Sequence, residues 1–258
     1  MKQTHRYEDH DIIHITGADC LKYLQGQVSS DISTLNPQNP IQLSALCNQK
    51  GRVIGLFFIH YIAENDLLIA VAKDNGDNVL MALKKYAIFS KIHFDYAHDY
   101  QLTYDSKADH KALFGHSIQK ISSEPPRDKM TLSKQEMQQI RIKQRLPVID
   151  GSNSERFLPA ELELDKLDAI SYSKGCYMGQ EIIARMKYRG NLKKVLYVVE
   201  IDGKLDRQDK LFSPEEKSIA DIVNLAESDT KTWVLAVFNN SCEDNRVLLA
   251  HNQQAVII

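Results

Sequence analysis

The spacing of apolar residues changes near residue 191 of this 258-residue chain. Before that point, helical and strand spacings alternate. After it, only short apolar runs separated by polar turns occur, at 195–201, 232–238, 247–250 and 255–258. Short runs of this kind are typical of small β-barrels. The sequence therefore predicts an α+β domain over residues 1–190 and a small C-terminal β-barrel over residues 191–258.

Local patterns in the first 190 residues predict individual elements. Leu21 and Leu24 before Gly26 indicate a short amphipathic helix. The apolar runs 56–62 and 67–72 predict a hairpin, residues 77–86 a helix, and the alternation over 92–96 a strand. A capping box, Ser133 with Glu136, predicts a further helix that ends before Pro147. The polar stretch near 105–132 is rich in helix breakers, which predicts a surface loop that could divide the domain into two lobes.

Charge and cysteine content exclude several classes of protein. The 32 Lys and Arg residues nearly balance 34 acids, so the chain as a whole has no electrostatic drive toward nucleic acid or anionic membranes. No apolar run approaches the roughly 20 residues of a membrane span, and we expect a cytoplasmic protein with no direct nucleic-acid or membrane contact. The four cysteines include no C-x-x-C pair, so we expect no bound metal and no intrinsic iron-sulfur cluster. Three of them are interpreted as buried or incidental thiols: Cys20, Cys47 and Cys242.

The fourth cysteine lies in the most informative segment, residues 173–190. Cys176 follows Lys174 and Gly175 and precedes a predicted helix. The positive end of a helix dipole and a nearby ammonium both favour thiolate over thiol. Cys176 and Lys174 are therefore the candidate catalytic residues.

The same segment is locally cationic. Between residues 174 and 194, six Lys and Arg residues accompany one acid, Glu181. Such a patch could bind the glutamate tail of a folate or an acidic partner. The alternative is a solvated helix face, particularly for Lys187, Lys193 and Lys194.

The run KGCYMGQEIIARMKYRG resembles the signature of the YgfZ family. Further pieces occur in the family's order over most of the first 194 residues: 15–19, 23–28 with Asp31, 50–52 and 146–150. The resemblance implies the folate-binding fold of the glycine-cleavage aminomethyltransferase. It also implies tetrahydrofolate or a one-carbon derivative as ligand. Client proteins or assembly machinery of iron-sulfur clusters, tRNA-modifying enzymes among them, are the implied protein partners. The positions that match the motif and would contact the cofactor are Tyr177, Gln180, Glu181, Arg185 and Arg189.

Two departures from the family pattern bear on activity. Gly55 and Leu56 stand where the aminomethyltransferase has paired aspartates, which disfavours glycine-cleavage activity. Trp233 is the single tryptophan, and the places of the family's folate-stacking tryptophans are taken by His10 and Met137.

Three functions remain open on the sequence. The first is a folate-dependent factor for assembly or repair of iron-sulfur clusters. The second is a tetrahydrofolate-dependent one-carbon transferase that uses another base, with Asp31 and His10 as candidates. The third is a non-catalytic interaction module, so the residues alone do not decide whether the chain is an enzyme.

Overall fold

A computed structural model describes residues 4–105, 115–121, 132–190, 193–205, 211–212, 218–239, 246–249 and 254–258. Its α-helices are α1 Cys20–Gln25, α2 Gly76–Lys84, α3 Lys134–Lys143 and α4 Gln180–Arg189. Its strands are β1 Thr4–Arg6, β2 His10–Thr16, β3 Ile41–Cys47, β4 Val53–Ala63, β5 Asp66–Ala72, β6 His93–Tyr96, β7 Tyr100–Asp105, β8 His116–Lys120, β9 Val195–Asp202, β10 Leu211–Phe212, β11 Ser218–Glu227, β12 Lys231–Phe238, β13 Arg246–Leu249 and β14 Gln254–Ile257. In these described ranges, no helix is long and apolar enough to cross a membrane.

A five-stranded antiparallel sheet forms the centre of the N-terminal part, in the order β3-β4-β5-β2-β6. One face of this sheet packs against α1 and α2, and the core between them consists mainly of aliphatic and aromatic side chains. The Tyr23 hydroxyl of α1 donates a hydrogen bond to the Leu83 carbonyl of α2, which joins the two helices. Because side chains alternate across a strand, Phe57 and Ile59 lie in this core while Phe58 faces the opposite side.

The opposite face carries an aromatic and histidine cluster contributed partly by a three-stranded sheet, β1-β7-β8. Phe58 stacks on His116 with ring centroids 4.8 Å apart, and the Tyr7 hydroxyl lies 2.6 Å from His116 Nε2. Burial lowers the pKa of His60, which extends from the strand that carries Phe58. These contacts hold the three-stranded sheet against the five-stranded one.

In the described C-terminal residues, six strands close a β-barrel in the order β10-β11-β12-β9-β14-β13. Its interior contains buried aliphatic and aromatic side chains such as Val199, Val234 and Phe238. Helix α3 packs on β11, where Gln135 Oε1 accepts a hydrogen bond from the Glu227 amide. The predicted fold class, α+β with a small C-terminal β-barrel, is confirmed.

The chain separates into two compact units, each assembled from several segments. The first contains 1–132, 149–159 and 164–185, and the second contains 133–148, 160–163 and 186–258. The predicted boundary at residue 190 stays a prediction, and most of the predicted polar loop near 105–132 lies outside the described residues.

The predicted helices and hairpin occur as α1, α2, β4 and β5, and Ser133 and Glu136 form the predicted capping box at α3.

Candidate functional site

Lys174 anchors the motif segment to the loop that follows α1. Its Nζ donates hydrogen bonds to the carbonyl oxygens of Val28 at 2.8 Å and Ser30 at 2.7 Å. The residue is 8% exposed, and burial lowers the pKa of its ammonium to about 8, although the nearby Asp31 carboxylate opposes this shift. The ammonium also lies 5.1 Å from the centre of the Tyr177 ring, within the range of a cation-π contact.

Asp31 is fixed by its own turn beside this lysine. Its Oδ1 accepts hydrogen bonds from the Ser33 hydroxyl at 2.5 Å, the Ser33 amide at 3.1 Å and Gln25 Nε2 at 2.8 Å. These donors hold the pKa of the Asp31 carboxyl below its ordinary value. The carboxylate is therefore a structural acceptor that also compensates part of the charge of Lys174.

Tyr177 is the second buried residue of the motif segment. It is 7% exposed, and within the described part of the chain its hydroxyl has no hydrogen-bond partner. Burial raises the pKa of this phenol, so it stays protonated at neutral pH. A buried hydroxyl without a partner is costly, which makes this atom a candidate for a ligand contact.

Cys176 lies between the two buried residues Lys174 and Tyr177 in the sequence, and it is exposed. Helix α4 begins at Gln180, so the thiol precedes the helix by four residues rather than occupying its first turn. The other cysteines within the described ranges, Cys20 and Cys47, are buried. Burial raises the pKa of both, and that of Cys47 to about 12.

Two glycines allow the start of α4 to approach the β3–β4 turn. Gly179 has φ +79°, and a Cβ added there would lie 2.7 Å from the Asn48 carbonyl oxygen and 3.1 Å from the Gly51 Cα. Gly51 has φ +72°, and its Cβ would lie 2.9 Å from the Ile182 Cβ. By contrast, a Cβ on Gly175 would meet nothing within 4 Å. The close approach therefore requires glycine at 179 and 51 but not at 175.

The β3–β4 turn is itself held by the segment that follows Asp150. Asn48 Nδ2 donates to Glu155 Oε2 at 2.9 Å, and the Val53 amide donates to the Phe157 carbonyl at 2.9 Å. The Arg52 guanidinium donates to the Arg156 carbonyl. The motif pieces at 23–28, 50–52 and 173–179 thus meet in one region of the first unit.

A cavity of about 360 Å³ opens beside this turn. Its lining includes Cys47, Lys50, Glu155 and Met178, so it reaches within two residues of Cys176 in the sequence.

Comparison with known proteins supports the predicted family resemblance. A tRNA-modifying protein YgfZ from Yersinia enterocolitica is 29% identical, with 93% of this chain and 86% of the relative covered. The chain is a relative of the YgfZ proteins. An uncharacterized protein of Haemophilus influenzae is 28% identical over all of this chain and 96% of its own length. No protein-family model matches the chain.

The fold of this YgfZ relative is that of the glycine cleavage system aminomethyltransferase T. The crystal structure of the Bartonella henselae enzyme aligns with a TM-score of 0.69 over 99% of this chain and 84% of that chain. The sequence identity is 12%, so this likeness shows the fold alone.

The structure leaves little space for a side chain at position 55, where the paired aspartates of the aminomethyltransferase were expected to be missing. A Cβ on Gly55 would lie 2.4 Å from Val79 Cγ2 of α2, and Leu56 is buried. The two residues considered as replacement bases are engaged elsewhere. Asp31 holds its turn, and His10 Nδ1 lies 2.8 Å from Asp9 Oδ1.

The remaining predicted cofactor residues lie on or beside α4. Glu181, Arg185 and Arg189 are exposed, and Gln180 is half-buried. No ion pair joins Glu181 and Arg185 in the part of the chain that the structure describes, although their i, i+4 spacing on α4 would allow one. The roles of the seven predicted site residues stay predictions.

Two kinds of polar group among the described residues could contact a folate. The exposed guanidinium groups of Arg185 and Arg189 suit the carboxylates of a glutamate tail, and the Tyr177 hydroxyl is a buried polar atom without a partner. Trp233 is engaged in the barrel, where its Nε1 donates to Glu200 Oε2 at 2.9 Å. The chemistry of these polar groups suits a folate, while Trp233 does not supply a stacking surface.

Sequence reasoning missed the partners of Lys174. Every residue has a backbone carbonyl, so the sequence does not indicate which carbonyls a lysine binds. The neighbouring side chains of Ser29 and Ser30 also form hydrogen bonds in this region. The Ser29 hydroxyl donates to the Ala169 carbonyl at 2.6 Å, and the Ser30 hydroxyl donates to Ser44 Oγ at 2.8 Å. Among the described residues, no three His, Cys, Asp or Glu side chains are arranged to hold a metal ion.

Proposed function

We propose that this protein is a folate-dependent factor for assembly or repair of iron-sulfur clusters in client enzymes, tRNA-modifying enzymes among them. The main support for this proposal is that Cys176 is exposed while Lys174 and Tyr177, on either side of it, are buried. Because Lys174 and Tyr177 are buried, they hold the backbone of this segment in place, and the thiol of Cys176 extends from it into solvent.

The chemistry of the thiol supports this role. Thiolate is a soft ligand for iron and a strong nucleophile toward electrophilic sulfur or carbon. Burial makes Cys20 and Cys47 poor candidates, because it raises their pKa and blocks access. Lys174 is proposed to contribute by positioning Cys176, because its ammonium is occupied by two carbonyl groups.

Several observations support a reduced folate as the cofactor. The fold is that of an aminomethyltransferase, and the cavity of about 360 Å³ beside Met178 offers space near the thiol. Tetrahydrofolate or a one-carbon derivative would supply a one-carbon carrier when bound. Tyr177, Gln180, Glu181, Arg185 and Arg189 are the residues proposed to hold it, with the arginines binding the carboxylates of the tail.

The comparisons support the choice of clients. The Yersinia enterocolitica relative is named a tRNA-modifying protein. We propose client enzymes or assembly proteins in the cytoplasm as the partners, with no direct nucleic-acid contact by this chain. The alternative, a one-carbon transferase, lacks a carboxylate at Gly55, where Val79 leaves no space for one.

Restoration of cluster-dependent enzyme activity in cells lacking the native protein tests the proposal. We expect Cys176→Ser to fail in this assay at normal protein levels. Gly175→Ala is the matched control, because it changes the adjacent residue where nothing lies within 4 Å, and it should restore activity fully. Full restoration by Cys176→Ser would overturn the proposed role of the thiol.

Binding of the cofactor is tested separately with the purified protein. Calorimetry with tetrahydrofolate should give a measurable heat that is reduced in an Arg185→Ala, Arg189→Ala double variant. The absence of any heat or thermal shift at millimolar tetrahydrofolate would exclude folate dependence.

A further inference from the structure

The turn after α2 carries large apolar residues where surface turns usually do not. The Ser90 amide donates to the Ala87 carbonyl at 2.9 Å, which closes a turn with Ile88 and Phe89 at its two central positions. Such positions favour Gly, Pro, Asn or Asp. Ile88 is 79% exposed and Phe89 is 99% exposed, so neither side chain contributes to the core.

The base of this turn is held by hydrogen bonds and a close backbone contact. Ile88 and Phe89 are therefore exposed from a backbone of fixed conformation. The Lys91 amide donates to Asp19 Oδ2 at 2.8 Å, and the Asp19 amide donates to the Lys91 carbonyl at 3.3 Å. Gly17 has φ +123°, and a Cβ there would lie 2.2 Å from the Lys91 carbonyl oxygen. A backbone fixed in this way presents two apolar side chains to solvent.

A cavity of about 340 Å³ lies directly beside the turn. Lys84 and Ile88 line one side of it, and His93, Phe94 and Asp95 of β6 line the other. A convex apolar tip of this kind fits an occupant that covers it with its own apolar side chains.

Strand β6 is at the edge of the five-stranded sheet. It pairs with β2 on one side, and its other side has no strand partner among the described residues. Unpaired backbone groups at such an edge accept an extended peptide as an added strand.

The charge around the turn is positive. Residues 84–95 contain three lysines, Lys84, Lys85 and Lys91, against one acid, Asp95 of β6. None of the three lysines forms an ion pair within the described ranges, whereas Lys85 lies 5.3 Å from the centre of the Tyr86 ring. The carboxylate of Asp19, which lies at the base of the turn, is engaged by the Lys91 amide.

We infer that residues 84–95, here called the turn–edge surface, bind an extended acidic segment of a partner protein. The segment adds as a strand to β6, covers Ile88 and Phe89 with its apolar side chains, and directs its carboxylates toward the lysines. Coverage of Phe89 removes a large apolar surface from water. This inference does not depend on the folate or iron-sulfur role.

Binding of a designed probe to the full-length protein tests the inference. The probe is a fluorescent peptide of alternating valine and glutamate with one central phenylalanine, measured by anisotropy. We expect binding together with slower hydrogen exchange of the β6 amides. Phe89→Ser and Lys91→Glu should each weaken binding about tenfold, as expected for residues at the centre of an interface.

Matched controls distinguish specific binding at the turn–edge surface from nonspecific hydrophobic binding elsewhere on the protein. Ile62→Ser also removes an exposed apolar side chain, from β4, which β5 and β2 separate from β6, and it should leave binding unchanged. A peptide with lysine in place of glutamate should bind at least about tenfold more weakly, because like charges would face each other.

Four results would overturn the inference. They are no binding of the acidic probe, binding that Phe89→Ser leaves unchanged, self-association through Phe89 in sedimentation, and a Phe89-dependent attachment to phosphatidylserine vesicles without peptide binding. The last two would assign the turn–edge surface to a second copy of the chain or to a membrane.

Discussion

The Nζ of Lys174 donates a 2.7 Å hydrogen bond to the carbonyl oxygen of Ser30, which lies 144 residues earlier in the chain. Together with the bond to Val28, this contact joins the motif segment to the loop after α1. The lysine therefore fixes the backbone from which Cys176 extends.

Replacement of Lys174 by methionine should destabilise the protein. The carbonyls of Val28 and Ser30 would lose their donor, and buried acceptors left without partners cost about 1–3 kcal/mol. Urea denaturation at pH 7 should give a free energy of unfolding lower by that amount. Equal stability of the two proteins would contradict the anchoring role.

The same lysine predicts a pH dependence with a definite sign. Burial lowers its pKa to about 8 in the folded chain, from an ordinary value of 10.5. Between these values the unfolded chain holds more protons than the folded one, so the free energy of unfolding rises with pH. The wild-type protein should therefore gain stability relative to Lys174→Met as the pH rises from 7 to 10. A difference that is constant or shrinks over this range would be inconsistent with a depressed pKa.

Gly179→Ala should be poorly tolerated. Its positive φ costs a residue with a Cβ roughly 1–2 kcal/mol, and the added atom would lie 2.7 Å from the Asn48 carbonyl. Thermal denaturation should show a clear loss of stability, whereas Gly175→Ala should stay within about 0.5 kcal/mol of wild type. Similar behaviour of both variants would argue against the close approach of α4 to the β3–β4 turn.

An aspartate at position 55 should destabilise the protein. The Cβ of Gly55→Asp would lie 2.4 Å from Val79 Cγ2, and the overpacking alone costs about 1–3 kcal/mol. Adding Val79→Ala should recover part of this loss, because it removes the clashing methyl group. The comparison of single and double variants by denaturation measures this coupling. A fully stable Gly55→Asp single variant would contradict the packing described here.

Alkylation should distinguish Cys176 from the buried cysteines. Cys176 is exposed, whereas Cys20 and Cys47 are buried with raised pKa values. Iodoacetamide at neutral pH, followed by mass spectrometry of each peptide, should modify Cys176 first. Cys242 lies outside the described residues, and its rate is measured separately. A rate for Cys176 no faster than that for Cys47 would exclude an accessible thiol.

Short-range patterns allowed much of the fold to be predicted from the sequence. The capping box at Ser133 acts within one helical turn, and the β4–β5 hairpin is set by two neighbouring apolar runs. Strand β3 was missed because its last five residues are buried on both faces, so polar and apolar residues do not alternate.

The site was harder to predict than the elements around it. The motif indicated Cys176, but the partners of Lys174 are backbone carbonyls distant in the sequence, and only folding brings them together. The clash between Gly55 and Val79 likewise depends on how α2 packs against β4, which no local pattern encodes.

Recovery of an iron-sulfur cluster in a purified, cluster-depleted client enzyme tests the central claim most directly. With iron, sulfide and tetrahydrofolate supplied, the wild-type protein should increase the rate of activity recovery, and omission of tetrahydrofolate should reduce this effect. Cys176→Ser should give no increase, and Gly175→Ala should match the wild type. Equal recovery with Cys176→Ser and wild type, or recovery indifferent to tetrahydrofolate, would contradict a folate-dependent role carried by this thiol.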